Sequence, residues 1–176
     1  RLVPHQEAPT AICWGDRNRS VLVRVPLGWQ NIDDSMFRDA NPAEPAIDEL
    51  PNDSQTVELR SPDGSAAVHL LLAGIAVAAR IGLTEPGMAD YARERKVDGD
   101  ASQTPNLDQL PGSCFEAAGR LLTQREDYEA KGVFPAGLID SWASHLVALG
   151  DVHLRDDLAD SRISVEELVE RYFHIG

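Results

Sequence analysis

The sequence predicts an α+β fold, a few antiparallel strands followed by a helical C-terminal half. Strand-forming runs rich in β-branched residues are confined to the first third, around residues 10–14, 21–25 and 56–61. Long apolar stretches begin only after a Ser61-Pro62-Asp63-Gly64 turn. Two capping-box patterns, Ser113 with Glu116 and Ser164 with Glu167, then open further helices. Strands first and helices after is an α+β order.

Taken in turn, Thr10 to Trp14 reads as a short strand and Val21 to Val25 as a stronger one. Residues 31–54 are rich in Asp, Asn and Pro and read as an acidic loop. Thr56 to Ser61 forms a third strand, with Val57 and Leu59 on one face and Glu58 and Arg60 on the other. Asp63 or Ser65 can cap the helix that follows, from about Ala66 to Ile81. That helix is apolar nearly all round, so it is expected to be central and buried, with His69 as a hydrogen-bonded core residue. Gly82 is expected to end it, and Pro86 bars its continuation. A polar, Pro-containing stretch covers 97–112. From Ser113 an amphipathic helix runs to about Lys131-Gly132. Another covers 135–149 with Leu138, Ile139, Trp142, Leu146 and Val147 as its apolar stripe, and a terminal helix follows Ser164. His145 and His153 are placed on helix surfaces.

At 176 residues the chain is near one domain's worth of sequence and can bury a core. Hydrophobic content of 43% and charged content of 26% are ordinary for a globular protein. A formal net charge of −13 argues against nucleic acid or an anionic membrane as partner. Cys13 and Cys114 form no metal-type spacing and read as reduced thiols of a cytoplasmic protein. No signal peptide is expected, and the longest apolar stretch, Ala66 to Ala79, is short for a membrane span. The chain starts at Arg1 without an initiator Met. It is therefore expected to begin inside a larger protein, with part of any site outside it.

Against this acidic background the arginines stand out. Residues 16–26 read DRNRSVLVRVP and 57–63 read VELRSPD. Arg24 is flanked by Val21, Leu22, Val23 and Val25, and a charge embedded in a strand core is costly unless it meets a partner or a ligand. Glu58 and Arg60 lie two apart on a strand and so share a face. A carboxylate is a hard oxygen ligand for a divalent cation, and a guanidinium is a planar donor to phosphate or carboxylate. Together they point to a site for a metal and an anion.

Plainer readings exist for each residue. Glu58 and Arg60 also fit a solvated sheet face, and Arg24 also fits burial against a structural carboxylate. Arg17 and Arg19, beside Asp16 and Asn18, also fit a turn held by local ion pairing. Their concentration in two short segments favours a site that stabilises negative charge. The five histidines show no metal spacing, and Ser20 and Ser61 have no His/Asp arrangement nearby. Neither GxxxxGK[ST] nor GxGxxG occurs, so a nucleotide site here is not of the common phosphate-loop kind.

Four segments carry a family resemblance: RLVPHQEAP at 1–9, NRSVLVRVP at 18–26, VELRSPDGSA at 57–66 and REDYEAKGVFPAGLIDSW at 125–142. In order and approximate spacing they resemble the C-terminal half of the glutamine synthetase catalytic domain, over roughly residues 1–145. The resemblance implies an ATP-dependent glutamate–ammonia ligase working through γ-glutamyl phosphate, with Mg2+ or Mn2+. It implies that Arg1 binds substrate glutamate, and that Glu7 shields the intermediate and helps deprotonate ammonium. Arg19 is implied to meet the transferred phosphoryl group, glutamate and ATP, and Arg24 the ATP phosphates. Glu58 is implied as a metal ligand and Arg60 as a partner for glutamate and the developing phosphate.

The family's other metal ligands, its ammonium-site aspartate and its N-terminal domain precede the RLVP motif. The resemblance therefore implies that this chain alone is inactive, and that the whole protein is a large homo-oligomeric ring. The chain also departs from the family pattern. Asp53 and Thr56 stand where many bacterial members carry a basic residue, and the loop at 31–54 is longer and more acidic. Ala67-Val68-His69 replaces an Asn-Pro-Tyr-type helix start, and 150–176 departs from the usual short ending. A γ-glutamyl-amine ligase for polyamines, and a non-catalytic regulatory or assembly homologue, are the other readings.

Overall fold

The computed structural model describes residues 9–26, 39–43, 56–62, 64 and 66–172. These fall into two compact units, one formed by residues up to 61 with 92–108, the other by 62–91 with 109 onward. Arg1, Glu7, Asp63, Ser65 and most of the acidic loop lie outside the described residues.

The first unit holds a sheet of order β1 (Trp14–Asp16), β2 (Val23–Val25) and β3 (Glu58–Leu59). β2 and β3 are antiparallel, with Arg24 opposite Glu58, but β1 and β2 are parallel, with Trp14 opposite Val23. The sheet is thus mixed rather than antiparallel. Strands this short make that possible, because at about 3.3 Å per residue the chain has only ~10 Å to retrace between them. Arg17 starts the reversal in the left-handed region, at φ 55°, and its N–H donates to the Val25 carbonyl at 2.8 Å. The first strand starts only at the last residue of the expected run, Trp14, and ends two residues past it, the Ile12 N–H being taken by the Asp108 carbonyl at 2.7 Å. Ala11 and Cys13 are buried with Val21, Val97 and Ala101, and Leu107 packs against them. Residues 95–97 flank β1: the Trp14 N–H donates to Arg95 O and the Val97 N–H to Trp14 O. A side chain at Gly15 would meet the Val97 carbonyl at 2.4 Å, so only glycine fits there.

Seven α-helices occur among the described residues: α1 (Val68–Thr84), α2 (Met88–Glu94), α3 (Cys114–Thr123), α4 (Arg125–Glu129), α5 (Ala136–Ala148), α6 (Leu154–Ala159) and α7 (Val165–Tyr172). α1 runs through Gly82 and stops at Thr84. An interior glycine costs only about 1 kcal/mol, whereas Pro86 cannot be accommodated two residues on. Its N-cap is Ala67, without a side-chain bond.

The helix is also less buried than its composition predicts. Leu70, Ala73, Val77 and Ile81, at helical spacing, face a core of Val77, Phe134 and Ile139. Val68, Leu72, Ile75 and Leu83 are exposed. His69 falls off the inward stripe and is exposed, not a core residue. No single helix among the described residues is long and apolar enough to cross a membrane.

α3 opens where its capping residues lie. Ser113 Oγ accepts the Glu116 N–H at 3.1 Å, while the Glu116 carboxylate reaches back to the Gly112 N–H at 2.8 Å rather than to Ser113. Asp151, beyond α5, accepts the N–H groups of Cys114 and Phe115 at 2.6 and 3.3 Å. The expected single helix breaks at Gln124 into α3 and α4, and a 3-10 turn over Ala130–Gly132 follows. Lys131 and Gly132 both take positive φ there, turning the chain toward Phe134, whose ring meets Tyr128 edge-on at 5.5 Å. α7 begins with a complete capping box, Ser164 and Glu167 exchanging bonds of 2.8 and 3.1 Å.

Candidate functional site

The register of β2 against β3 sets Arg24 directly across from Glu58, and Arg60 follows two residues on. Arg24 Nη2 pairs with Glu58 Oε2, and Arg60 Nε lies 3.7 Å from Glu58 Oε1. The side chains of Arg24 and Arg60 are 23% and 17% exposed and that of Glu58 40%, so the carboxylate is the open end of the cluster. Two guanidiniums around one carboxylate leave an excess of positive charge on this face of an acidic chain. Arg24 is therefore half-buried against a carboxylate, close to one of the plainer readings, and Glu58 is that carboxylate. The Arg24 Nε is buried with no hydrogen-bond partner among the described residues.

Arg60 is fixed by more than Glu58. Its backbone N–H donates to Leu22 O at 2.9 Å, and its Nη1 donates to Arg19 O and, at 3.2 Å, to Val21 O. The guanidinium is thereby tied to the segment that carries Arg19, which is itself exposed.

The turn at 16–20 is not held by local ion pairing. Asp16 pairs instead with Lys96 at 3.0 Å, and Lys96 lies over the Trp14 ring at 5.6 Å. The hydrogen bond and charge of Asp16 raise the Lys96 pKa above its ordinary value. What holds the turn is Asn18, which sequence reasoning passed over although Asn-x-Ser is a recognisable turn signal. A cleft of about 720 Å³ opens beside it, lined among others by Arg17, Arg19, Asp98 and Asp100.

Among the described residues no three His, Cys, Asp or Glu side chains converge as a metal cluster. Glu58 fits a divalent cation as one oxygen donor, since a carboxylate has about four lone-pair sites and its two arginine partners leave some of them open. Arg1 and Glu7 lie outside the described residues. Both cysteines are free thiols, and burial, with a smaller contribution from Asp151, pushes the Cys114 thiol up to about 11.

A small mixed sheet bearing this cluster, with a helical second half, is the build of an α+β catalytic-domain fragment. The profile described as "Glutamine synthetase, catalytic domain" matches residues 1–146. The chain belongs to the glutamine synthetase family. It is similar to the glutamine synthetases of Pyrococcus abyssi, at 34% identity over 99% of this chain and 36% of the relative, and Thermococcus kodakarensis, at 31% over 99% and 35%. That of Salmonella typhimurium is 28% identical over 81% of this chain and 26% of its own length. The chain thus spans about a third of the length of the curated relatives it matches. The archaeal matches cover 99% of this chain and so include the segment beyond 146.

Proposed function

We propose that the whole protein is an ATP-dependent glutamate–ammonia ligase and that this chain is the C-terminal portion of its catalytic domain. The observation that carries the reading is the cluster of Arg24, Glu58 and Arg60 on one sheet face, within the segment that matches the family's catalytic domain. Phosphoryl transfer is mostly positioning and charge neutralisation, which arginines around a carboxylate supply. In the first step the γ-phosphoryl group of ATP passes to the side-chain carboxylate of glutamate, giving γ-glutamyl phosphate and ADP. In the second, ammonia attacks the acyl carbon, the C–O bond to phosphate breaks, and glutamine, inorganic phosphate and a proton leave.

Arg19 meets the transferred group and the substrate, and Arg24 the ATP phosphates. Arg60 faces glutamate and the developing phosphate. Arg1 binds glutamate, and Glu7 shields the intermediate and takes a proton from ammonium. Mg2+ or Mn2+, when bound, would neutralise phosphate charge, with Glu58 offering one donor and the family's other ligands coming from the part of the whole protein that precedes the RLVP motif. For the same reason the chain by itself is inactive. The whole protein is cytoplasmic and assembles as a homo-oligomer.

Assaying the whole protein with ATP, glutamate, Mn2+ and either ammonia or a polyamine tests the reading. Glutamine formed together with ADP and phosphate is the expected result. Preferential glutamylation of the polyamine would replace it with the γ-glutamyl-amine ligase reading, and no product from either acceptor would favour a non-catalytic homologue. γ-Glutamyl transfer by this chain alone would overturn its assignment as inactive.

A further inference from the structure

The Asn18 carboxamide uses its whole hydrogen-bonding capacity within the strand unit. Its Nδ2 donates to Val97 O at 3.1 Å and to Gly99 O at 2.6 Å, while its Oδ1 accepts from the Ser20 N–H at 2.9 Å and from Ser20 Oγ at 2.7 Å. Two donors and two lone pairs are all that an amide side chain offers. Ser20 Oγ in turn accepts the Ala101 N–H at 2.8 Å, closing a ring of bonds between the 17–20 turn and the 97–101 loop. That turn carries Arg19, and the carbonyls of Arg19 and of Val21 just beyond the turn receive the Arg60 guanidinium. The turn also contains Arg17 at φ 55°, a conformation that persists in a non-glycine residue only when its surroundings enforce it.

We infer that Asn18 is a positioning residue whose carboxamide clamps the Arg17–Ser20 turn to the Val97–Ala101 loop and so sets where Arg19 and Arg60 present their guanidiniums. The catalytic consequence rests on the ligase reading above; the clamp itself does not. No other side chain reproduces it. Aspartate has the shape but would set a carboxylate oxygen against the Val97 and Gly99 carbonyls, serine is too short, and glutamine is longer by a methylene.

The experiment compares the wild-type whole protein with Asn18→Asp and, as a milder change, Ser20→Ala. It reads kcat and KM per folded site, and amide hydrogen exchange at Ala101. Misplacing a contact to the reacting group by about 1 Å costs on the order of 100-fold, so kcat of Asn18→Asp should fall by about that factor, with Ser20→Ala shifted the same way by less. Repulsion between the new carboxylate of Asn18→Asp and the Val97 and Gly99 carbonyls, like loss of the Ser20 Oγ acceptor in Ser20→Ala, should speed exchange at Ala101 roughly tenfold while amides of α5 keep their protection. Unchanged kcat in a folded Asn18→Asp protein, or unchanged exchange at Ala101, would overturn the inference. If Asn18→Asp does not fold, Ser20→Ala decides by the same two readouts. If the wild-type protein shows no ligase activity, the ligase reading fails, and exchange alone decides the clamp.

Discussion

The strand unit buries small side chains, Ala11, Cys13, Val21, Val97 and Ala101, whereas the helical unit is built on Val77, Phe134 and Ile139 and closes its core with Leu121, Tyr128 and Leu138. Their polar bonds differ as well. In the strand unit side chains reach backbone groups far away in sequence: Trp14 Nε1 to Ala92 O, Asn18 to Val97 and Gly99, Arg60 to Arg19 and Val21. In the helical unit most such bonds close over a few residues, as at Ser113, Ser164 and Thr123, with Asp151 the main long-range exception. The helical unit therefore draws its stability from packed apolar volume and local caps. In the strand unit long-range polar bonds fix the carriers of the charged residues, and so a single polar change there should disturb position more than stability.

Truncation of Ile139, 2% exposed at the heart of the helical core, should have the largest effect on unfolding. Ile139→Ala is expected to cost about 2–5 kcal/mol in urea or thermal unfolding. A cost well under 1 kcal/mol would break the contrast between the units. Gly15→Ala comes next, since its Cβ would meet a backbone carbonyl, and about 1–3 kcal/mol is expected with a shift of β1 against residues 95–97. Asp151→Ala removes the acceptor for two N–H groups of α3 and should cost about 0.5–2 kcal/mol, measured in the same way.

The smallest effect concerns Cys114. Its folded-state pKa is raised from 9.0 to about 11, so the neutral thiol is favoured in the folded state. The associated stabilisation is present below about pH 9 and is lost as pH rises through about 11. At pH 8 the folded thiol should also alkylate roughly 100-fold more slowly than the same cysteine after unfolding, because only the thiolate reacts. Equal rates before and after unfolding would contradict that environment.

Much of this was legible in the residues. Arg24 among valines demanded a partner, and Glu58 proved to be it; the box at Ser164 and Glu167 formed as the spacing predicts. The parallel pairing of β1 and β2 was not legible, because three-residue strands carry no alternation long enough to specify direction. Nor was the exposure of α1. An all-apolar helix signals burial, yet only the Leu70–Ala73–Val77–Ile81 stripe meets a core in this chain, and His69 lies outside it. Arg17 and Arg19 drew attention by their charge, while the residue that holds their turn, Asn18, is neutral and lies between them.

The most direct test of the claim that the Arg24–Glu58–Arg60 face is one wall of a phosphoryl-transfer site is Glu58→Gln in the whole protein. The change keeps size and removes charge. Weakening the hold on a catalytic metal typically costs about 10- to 100-fold in metal affinity or activity, so glutamine formation should fall by at least that order while the protein remains folded. Glutamine formation within about twofold of wild type would contradict the account.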